Sequence, residues 1–349
     1  MAPLIPFVKI PELPIPYAAE ALSHLPLVGK LVDPGHPLTI KPFGALVAFG
    51  VYIGSVVAMR HGRQRGIDDR RLGEFIFSVV GLGFVGGHML DAVFYHPGEL
   101  AQDPLYLFML WKGLSSYGGF VGAVFGALWW KCVTVTWRAV DVTLSGRAIT
   151  LFSVPATVTV TWRHGERVLA MCEVINSAFP LAWVFGRMGC ASVHDHPGQL
   201  SDTWFAVRWP LGNGVAGRFD LGLMEMVLTI PLALAFLWLW KKKPARPLGF
   251  YTGWMCVAYA PVRFGLDFLR VTEGESGVGG GGDPRYGGLT PAQWACFGLL
   301  ALGIHFLRVA RRGDLGDQSG PTATETDGGE EARGAAPESE SQEAPKGGR

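Results

Sequence analysis

Seven stretches of this chain stay apolar for about the length a helix needs to cross a lipid bilayer, and no other feature constrains the fold as much. A hydrocarbon core about 30 Å thick takes roughly 20 helical residues. Inside it every backbone N–H and C=O must be satisfied within the protein, which leaves helices or a closed barrel. The stretches are Pro42 to Met59, Phe75 to Tyr95, Leu105 to Trp130, Ala178 to Ser192, Leu221 to Trp240, Leu248 to Phe268 and Pro291 to Val309. They predict an all-α integral membrane protein with seven transmembrane helices. At 49% hydrophobic and 17% charged, the 349 residues are too apolar for a disordered or purely nucleic-acid-binding chain. The fourth stretch is short and holds Pro180, Gly186, Arg187 and Gly189, so a broken helix is expected there.

Basic residues orient such a bundle, because they stay on the cytoplasmic side. Arg60, Arg63, Arg65, Arg70 and Arg71 separate the first two stretches, Lys241 to Lys243 and Arg246 follow the fifth, and Arg308, Arg311 and Arg312 follow the seventh. Seven spans put all three groups on one side, which predicts an outward N-terminus and a cytoplasmic C-terminus. The formal net charge of +1 is unevenly spread: the tail Gly313–Arg349 carries nine acidic and three basic residues, leaving 20 acidic and 27 basic on the rest.

Composition divides the chain further. Residues 1–41 are Pro-rich, without the basic and then apolar segments of a cleavable signal peptide, and form an outward-facing N-terminal segment. Residues 42–312 form the membrane domain, with an outer loop at 193–220. Between 131 and 173 the pattern shifts to alternating β-branched residues, Val133-Thr-Val-Thr-Trp137 echoed by Thr159-Val-Thr-Trp162, which predicts a small β-rich cytoplasmic insertion. Residues 313–349 read as a disordered acidic tail, and Gly277–Gly282 as a flexible outer loop. Five irregularly spaced cysteines imply neither a disulfide framework nor a zinc knuckle.

Charges inside the spans carry the functional signal, since an Arg or Asp at a helix centre costs about 2.5–3.5 kcal/mol even on the mildest insertion scales. Tyr259, Arg263, Asp267 and Arg270 stand at offsets 0, 4, 8 and 11 and share one helical face. Asp267 can neutralise only one of these arginines, so a guanidinium remains for an anion. A second buried arginine comes from Phe185-Gly-Arg-Met-Gly-Cys190. Guanidinium forks from two helices suit phosphate oxygens, so Arg187 and Arg263 are expected to converge on one lipid phosphate. In the third span, glycines flanking Tyr117 let a helix or acyl chain approach the backbone and expose the phenol, or else form a small-residue packing seam with Tyr117 as an interface anchor. His88 and Asp91, three residues apart, are expected to pair with each other. His194-Asp-His196 offers two imidazoles in a loop without a third ligand nearby, which favours a hydrogen-bonded cluster; neither a metal nor a cofactor is expected.

These residues resemble the prolipoprotein diacylglyceryl transferase family of the bacterial inner membrane. Trp111-Lys-Gly-Leu-Ser-Ser-Tyr-Gly-Gly-Phe-Val-Gly122 is similar to the family's Trp-x-Gly-Gly-Met-Ser-Phe-His-Gly-Gly stretch, and Gly186-Arg-Met-Gly189 to its Gly-Arg-Ile-Gly-Asn-Phe signature. Tyr259-Ala-Pro-Val-Arg-Phe-Gly-Leu-Asp-Phe-Leu-Arg270 resembles its Tyr-x-x-x-Arg-x-x-x-Glu-Phe-x-Arg run, and Arg285 to Gln293 the start of its last span. The order holds from about Pro42 to Val309, omitting the insertion. The resemblance implies transfer of a diacylglyceryl group from phosphatidylglycerol to the lipobox cysteine thiol of a prolipoprotein. Its partners would be phosphatidylglycerol, prolipoprotein signal peptides and membrane lipids, with no nucleic acid.

Residue by residue, the resemblance places Arg187, Arg263 and Arg270 on the phosphatidylglycerol headgroup and lets Tyr259 orient it. Asp267 and Glu173 would hold the arginines, Cys190 and Asp195 would support them, and Tyr117 becomes the candidate base. The chain also departs from the pattern: Tyr117 replaces a functional His, Cys190 an Asn, Asp195 and Asp267 each a Glu, and Glu173 an Asp. Shortening a carboxylate keeps its charge. A phenol with an unperturbed pKa of about 10, by contrast, is a poor base near neutral pH unless arginines lower it. The alternative reading is a homologue that binds phospholipid without chemistry. A transporter built on intramembrane charges is a third, against which stands the lack of an internal repeat.

Overall fold

The computed structural model describes residues 3–15, 38–108, 113–144, 147–160, 167–211, 214–243, 246–271 and 285–313. Trp111, Lys112, the stretch Gly277–Gly282 and the acidic tail from residue 314 lie outside them. Seven long helices form the body: α1 (Pro42–Gln64), α2 (Asp69–Phe94), α3 (Ser116–Cys132), α4 (Val168–Val193), α5 (Leu221–Lys242), α6 (Phe250–Asp267) and α7 (Pro291–Arg312). Five of them, α1, α2, α4, α5 and α7, are long and apolar enough to cross a membrane. The chain is a multi-pass membrane protein. Its surface agrees: Phe49, Phe77, Phe125, Leu234 and Trp238 project outward, while Leu72, Phe75, Trp130, Val174, Tyr251 and Tyr259 fill the centre.

Side chains at the helix ends explain several boundaries. Asp68 accepts from Arg71 N to start α2, Asp220 accepts from Leu223 N to start α5, and Thr290 with Gln293 forms a capping box on α7. Ser115 caps α3 by accepting from Gly118 N. The third span was expected from Leu105. Instead Pro104–Phe108 form a single 3-10 segment and the α-helix begins only at Ser116, where that capping hydroxyl replaces a preceding turn.

The fourth span corrects the sequence reading more strongly. α4 is one continuous helix of 26 residues with Pro180 inside it, beginning ten residues earlier than expected. Proline is tolerated in a membrane helix where neighbours re-satisfy the freed backbone; Gly189 packs closely on Phe43, while Gly186 faces open space and stays helical all the same. Glu173, placed by sequence at the edge of the insertion, is therefore helical. Ahead of α4, β4 (Val133–Leu144) pairs antiparallel with β5 (Arg147–Val160), Val133 opposite Val160.

The segment 193–220, expected as a loop, carries three strands: β6 (Pro197–Leu200), β7 (Val207–Leu211) and β8 (Gly214–Asp220). With β1 (Ile5–Pro6) they form a sheet in the order β1-β7-β8-β6. Along β7, buried Val207 and Trp209 alternate with exposed Arg208 and Pro210, the period of a half-buried strand. β2 (Leu13–Ile15) pairs with β3 (Leu38–Ile40), leading into α1. The sheet covers one end of the bundle, tied to α6 through Gln199 N donating to Leu269 O at 2.8 Å.

Helices α2 and α3 touch backbone to backbone along glycines. A Cβ at Gly122 would lie 3.0 Å from the Gly86 Cα and collide with the Leu82 carbonyl, whereas one at Gly81 would meet nothing within 4 Å. Gly122→Val should therefore cost about 1–3 kcal/mol of stability, seen as a lowered thermal midpoint in detergent, while Gly81→Ala should leave it in place. Equal midpoints for the two variants would mean that this seam is not tight.

Candidate active site

At the sheet end of the bundle, three helices bring their charges to one carboxylate. Glu225 of α5 is fully buried. Its Oε1 lies 2.9 Å from Arg187 Nε of α4, and its Oε2 lies 3.3 Å from Arg263 NH1 of α6. Arg263 NH2 also reaches Asp267 Oδ1 at 2.9 Å, one helical turn on, and Arg270 NH1 approaches the same oxygen at 3.6 Å. The expected meeting of Arg187 and Arg263 is seen, but Glu225 joins them. Sequence reasoning missed this residue although its signal was plain: it is the one acidic residue in the apolar run Leu221 to Trp240, where a charge demands a partner.

Each charged group is further held. Arg187 donates to Ser116 Oγ at 2.8 Å, lies over the Trp183 ring at 4.8 Å, and places NH1 3.8 Å from Cys190 Sγ. Trp183 Nε1 donates to Glu225 Oε1 at 3.0 Å. Thr290, the α7 cap, donates its hydroxyl to Asp267 Oδ2. Tyr259 is buried beside Glu225, with its ring edge-on to Trp183 and Phe120. Among the described residues, these ion pairs join Arg187, Arg263 and Arg270 to Glu225 and Asp267.

Other expected members lie apart. Glu173 holds neither Arg187 nor Arg263: its carboxylate accepts from Tyr251 N at 2.8 Å and Thr252 N at 2.9 Å, capping α6 at the opposite end, because a helix N-terminus supplies free N–H groups. Asp195 bonds His196 rather than an arginine. Tyr117 OH lies 2.6 Å from Cys296 Sγ of α7, and no guanidinium hydrogen-bonds it among the described residues. His88 does not pair with Asp91; its ring nitrogens face the carbonyls of Gly113 (3.1 Å) and Tyr106 (2.9 Å), which fold over it from outside the helix.

The sequence profile of prolipoprotein diacylglyceryl transferases matches residues 31–154 and 146–309. The chain belongs to this family. Similar curated relatives include the phosphatidylglycerol–prolipoprotein diacylglyceryl transferase of Pseudomonas paraeruginosa (strain DSM 24068 / PA7), 26% identical over 283 residues that cover 80% of this chain and 92% of the relative. Those of Vibrio atlanticus (26% identical; 70% and 79% covered) and Janthinobacterium sp. (25% identical; 79% and 93% covered) bear the same name. The family match spans every helix that contributes a charge to the cluster.

A carboxylate shared by two buried arginines cannot be lost cheaply. Breaking a buried pair by removing one partner costs about 3–5 kcal/mol, so Glu225→Gln, which keeps shape and removes charge, should lower the denaturation midpoint in detergent more than Glu173→Gln does. A Glu225→Gln midpoint equal to that of the parent protein would show that the arginines do not depend on this carboxylate.

Proposed function

We propose that this protein transfers the diacylglyceryl group of phosphatidylglycerol to the lipobox cysteine thiol of prolipoproteins, the first step of bacterial lipoprotein maturation. The observation that carries the reading is the buried cluster in which Glu225 and Asp267 hold Arg187 and Arg263 together, in a chain of this family. In the reaction the sulfur of the substrate thiol attacks the glyceryl carbon, and the thiol proton passes through water to the departing phosphate. The bond from that carbon to the phosphate oxygen breaks, and glycerol phosphate leaves. The thiolate is the nucleophile, and the charge that grows on the departing phosphate is what Arg187 and Arg263 stabilise in a low-dielectric site. Arg270 adds a third donor, Tyr259 orients the headgroup, and Asp267 aligns Arg263. Tyr117 lies near Arg263 but bonds Cys296 and no guanidinium among the described residues, so its ring positions the lipid.

Purified protein with phosphatidylglycerol vesicles and a lipobox peptide should release glycerol phosphate; none above a protein-free control would overturn the transferase reading in favour of a phospholipid-binding homologue. Tyr117→Phe should cost about tenfold or less, whereas Arg263→Gln should cost at least about a hundredfold. Complete loss in Tyr117→Phe would make the phenol the base.

In the same reading all seven helices span the bacterial cytoplasmic membrane, with the N-terminus and the sheet outside and the arginine- and lysine-rich ends inside. An impermeant maleimide added to intact cells should label Gly279→Cys and spare Gly328→Cys. The reverse pattern would invert the topology.

A further inference from the structure

The sheet end of α4 holds a second cluster of ligand-type side chains, separate from the carboxylates that bind the arginines. His194, the C-cap of α4, adopts a left-handed conformation at φ 55°, which is uncommon for a residue other than glycine. This reverses the chain, so that Asp195 and His196 return over Cys190 in the last turns of the helix. The reversal is firmly held. The His194 ring stacks on Phe7 with centroids 4.0 Å apart, its Nδ1 bonds Asp220 Oδ2 at 2.5 Å, and His196 O accepts from Leu221 N at 3.0 Å. Of the two imidazoles in His194-Asp-His196, then, the first is committed to structure. The second is free to join a thiol that a linear reading of the sequence does not bring near it.

The ligand atoms of Cys190, Asp195 and His196 all lie within 4.8 Å of one another. Asp195 Oδ1 is 2.5 Å from His196 Nδ1, and the imidazole also faces the Cys190 sulfur. Around a tetrahedral zinc, ligand atoms stand roughly 3.3–3.6 Å apart, so closing this trio takes side-chain rotation and not a new backbone path. One sulfur, one nitrogen and one oxygen are a donor set suited to a borderline divalent ion. A thiolate and a carboxylate would cancel its two charges, as a partly buried site requires. The Arg187 guanidinium lies 3.8 Å from the sulfur.

We propose that Cys190, Asp195 and His196 form a binding site for a zinc-type divalent cation, with three protein ligands and a fourth position left to solvent or an anionic oxygen. Three ligands and an open position are the pattern of reactive rather than purely structural zinc sites, and Arg187 places this one at the edge of the arginine cluster. The proposal does not depend on the transferase reading, because binding is read without turnover.

Cobalt(II) is the probe, since a cobalt–thiolate bond gives a near-ultraviolet charge-transfer band. Added to the full-length protein in detergent, it should produce that band with saturation at one equivalent, and zinc should displace it. Cys190→Ser should abolish the band, while Asp195→Asn and His196→Ala should weaken binding at least about tenfold. These two positions are less buried than Cys190, so they remain informative if the serine variant does not fold. Zinc should also protect Cys190 of the parent protein from alkylation, mapped by peptide mass spectrometry. Absence of the band, a band unchanged by both Asp195→Asn and His196→Ala, or alkylation indifferent to zinc would overturn the site.

Discussion

The arrangement of α4, α5 and α6 depends on one buried carboxylate. Taking two guanidinium groups and their counter-charges out of water costs several kcal/mol per ion, and only close, multiply bonded geometry offsets it. Glu225 provides this by giving one oxygen to Arg187 and the other to Arg263. Hydrophobic packing alone holds membrane helices loosely in register, because lipid tails are as apolar as the side chains they would replace. The charged triangle supplies directional contacts, and the glycine seams then let neighbouring helices come close around it.

Much of this was legible in the sequence, for identifiable reasons. Tyr259, Arg263 and Asp267 share a face because the helical period makes them, and two arginines inside apolar runs had to find polar company. Glu225 was less legible, because a single glutamate among leucines and methionines reveals its partners only once the helices are placed. Glu173 misled for the converse reason. It stands at a family position for a carboxylate, yet a buried carboxylate is served equally well by the free N–H groups of a helix start, and Tyr251 and Thr252 offer these.

The sheet over residues 197–220 was hidden by its own brevity. Its strands are four to seven residues long and are completed by Ile5–Pro6 from the far N-terminus, a pairing that local alternation cannot reveal. The broken-helix expectation for α4 failed for a related reason. Proline and glycine have high local costs in water, but in a bundle Gly189 gives close approach to Phe43 and neighbours complete the backbone freed by Pro180, so tertiary packing overrides propensity.

On the proposed reading, the cluster acts on the growth of charge at the phosphate. A phosphatidylglycerol headgroup is a diester with one negative charge, and transfer of the diacylglyceryl group turns it into a phosphate monoester, whose charge near neutral pH is about −1.5 to −2. Guanidinium groups already fixed by Glu225 and Asp267 meet that added charge without reorganising, so they favour the transition state over the bound diester. The product keeps the charge but has lost the acyl chains, and with them the apolar contact that holds a lipid among membrane helices. Release of glycerol phosphate therefore follows from lost hydrophobic anchoring, against the pull of the arginines.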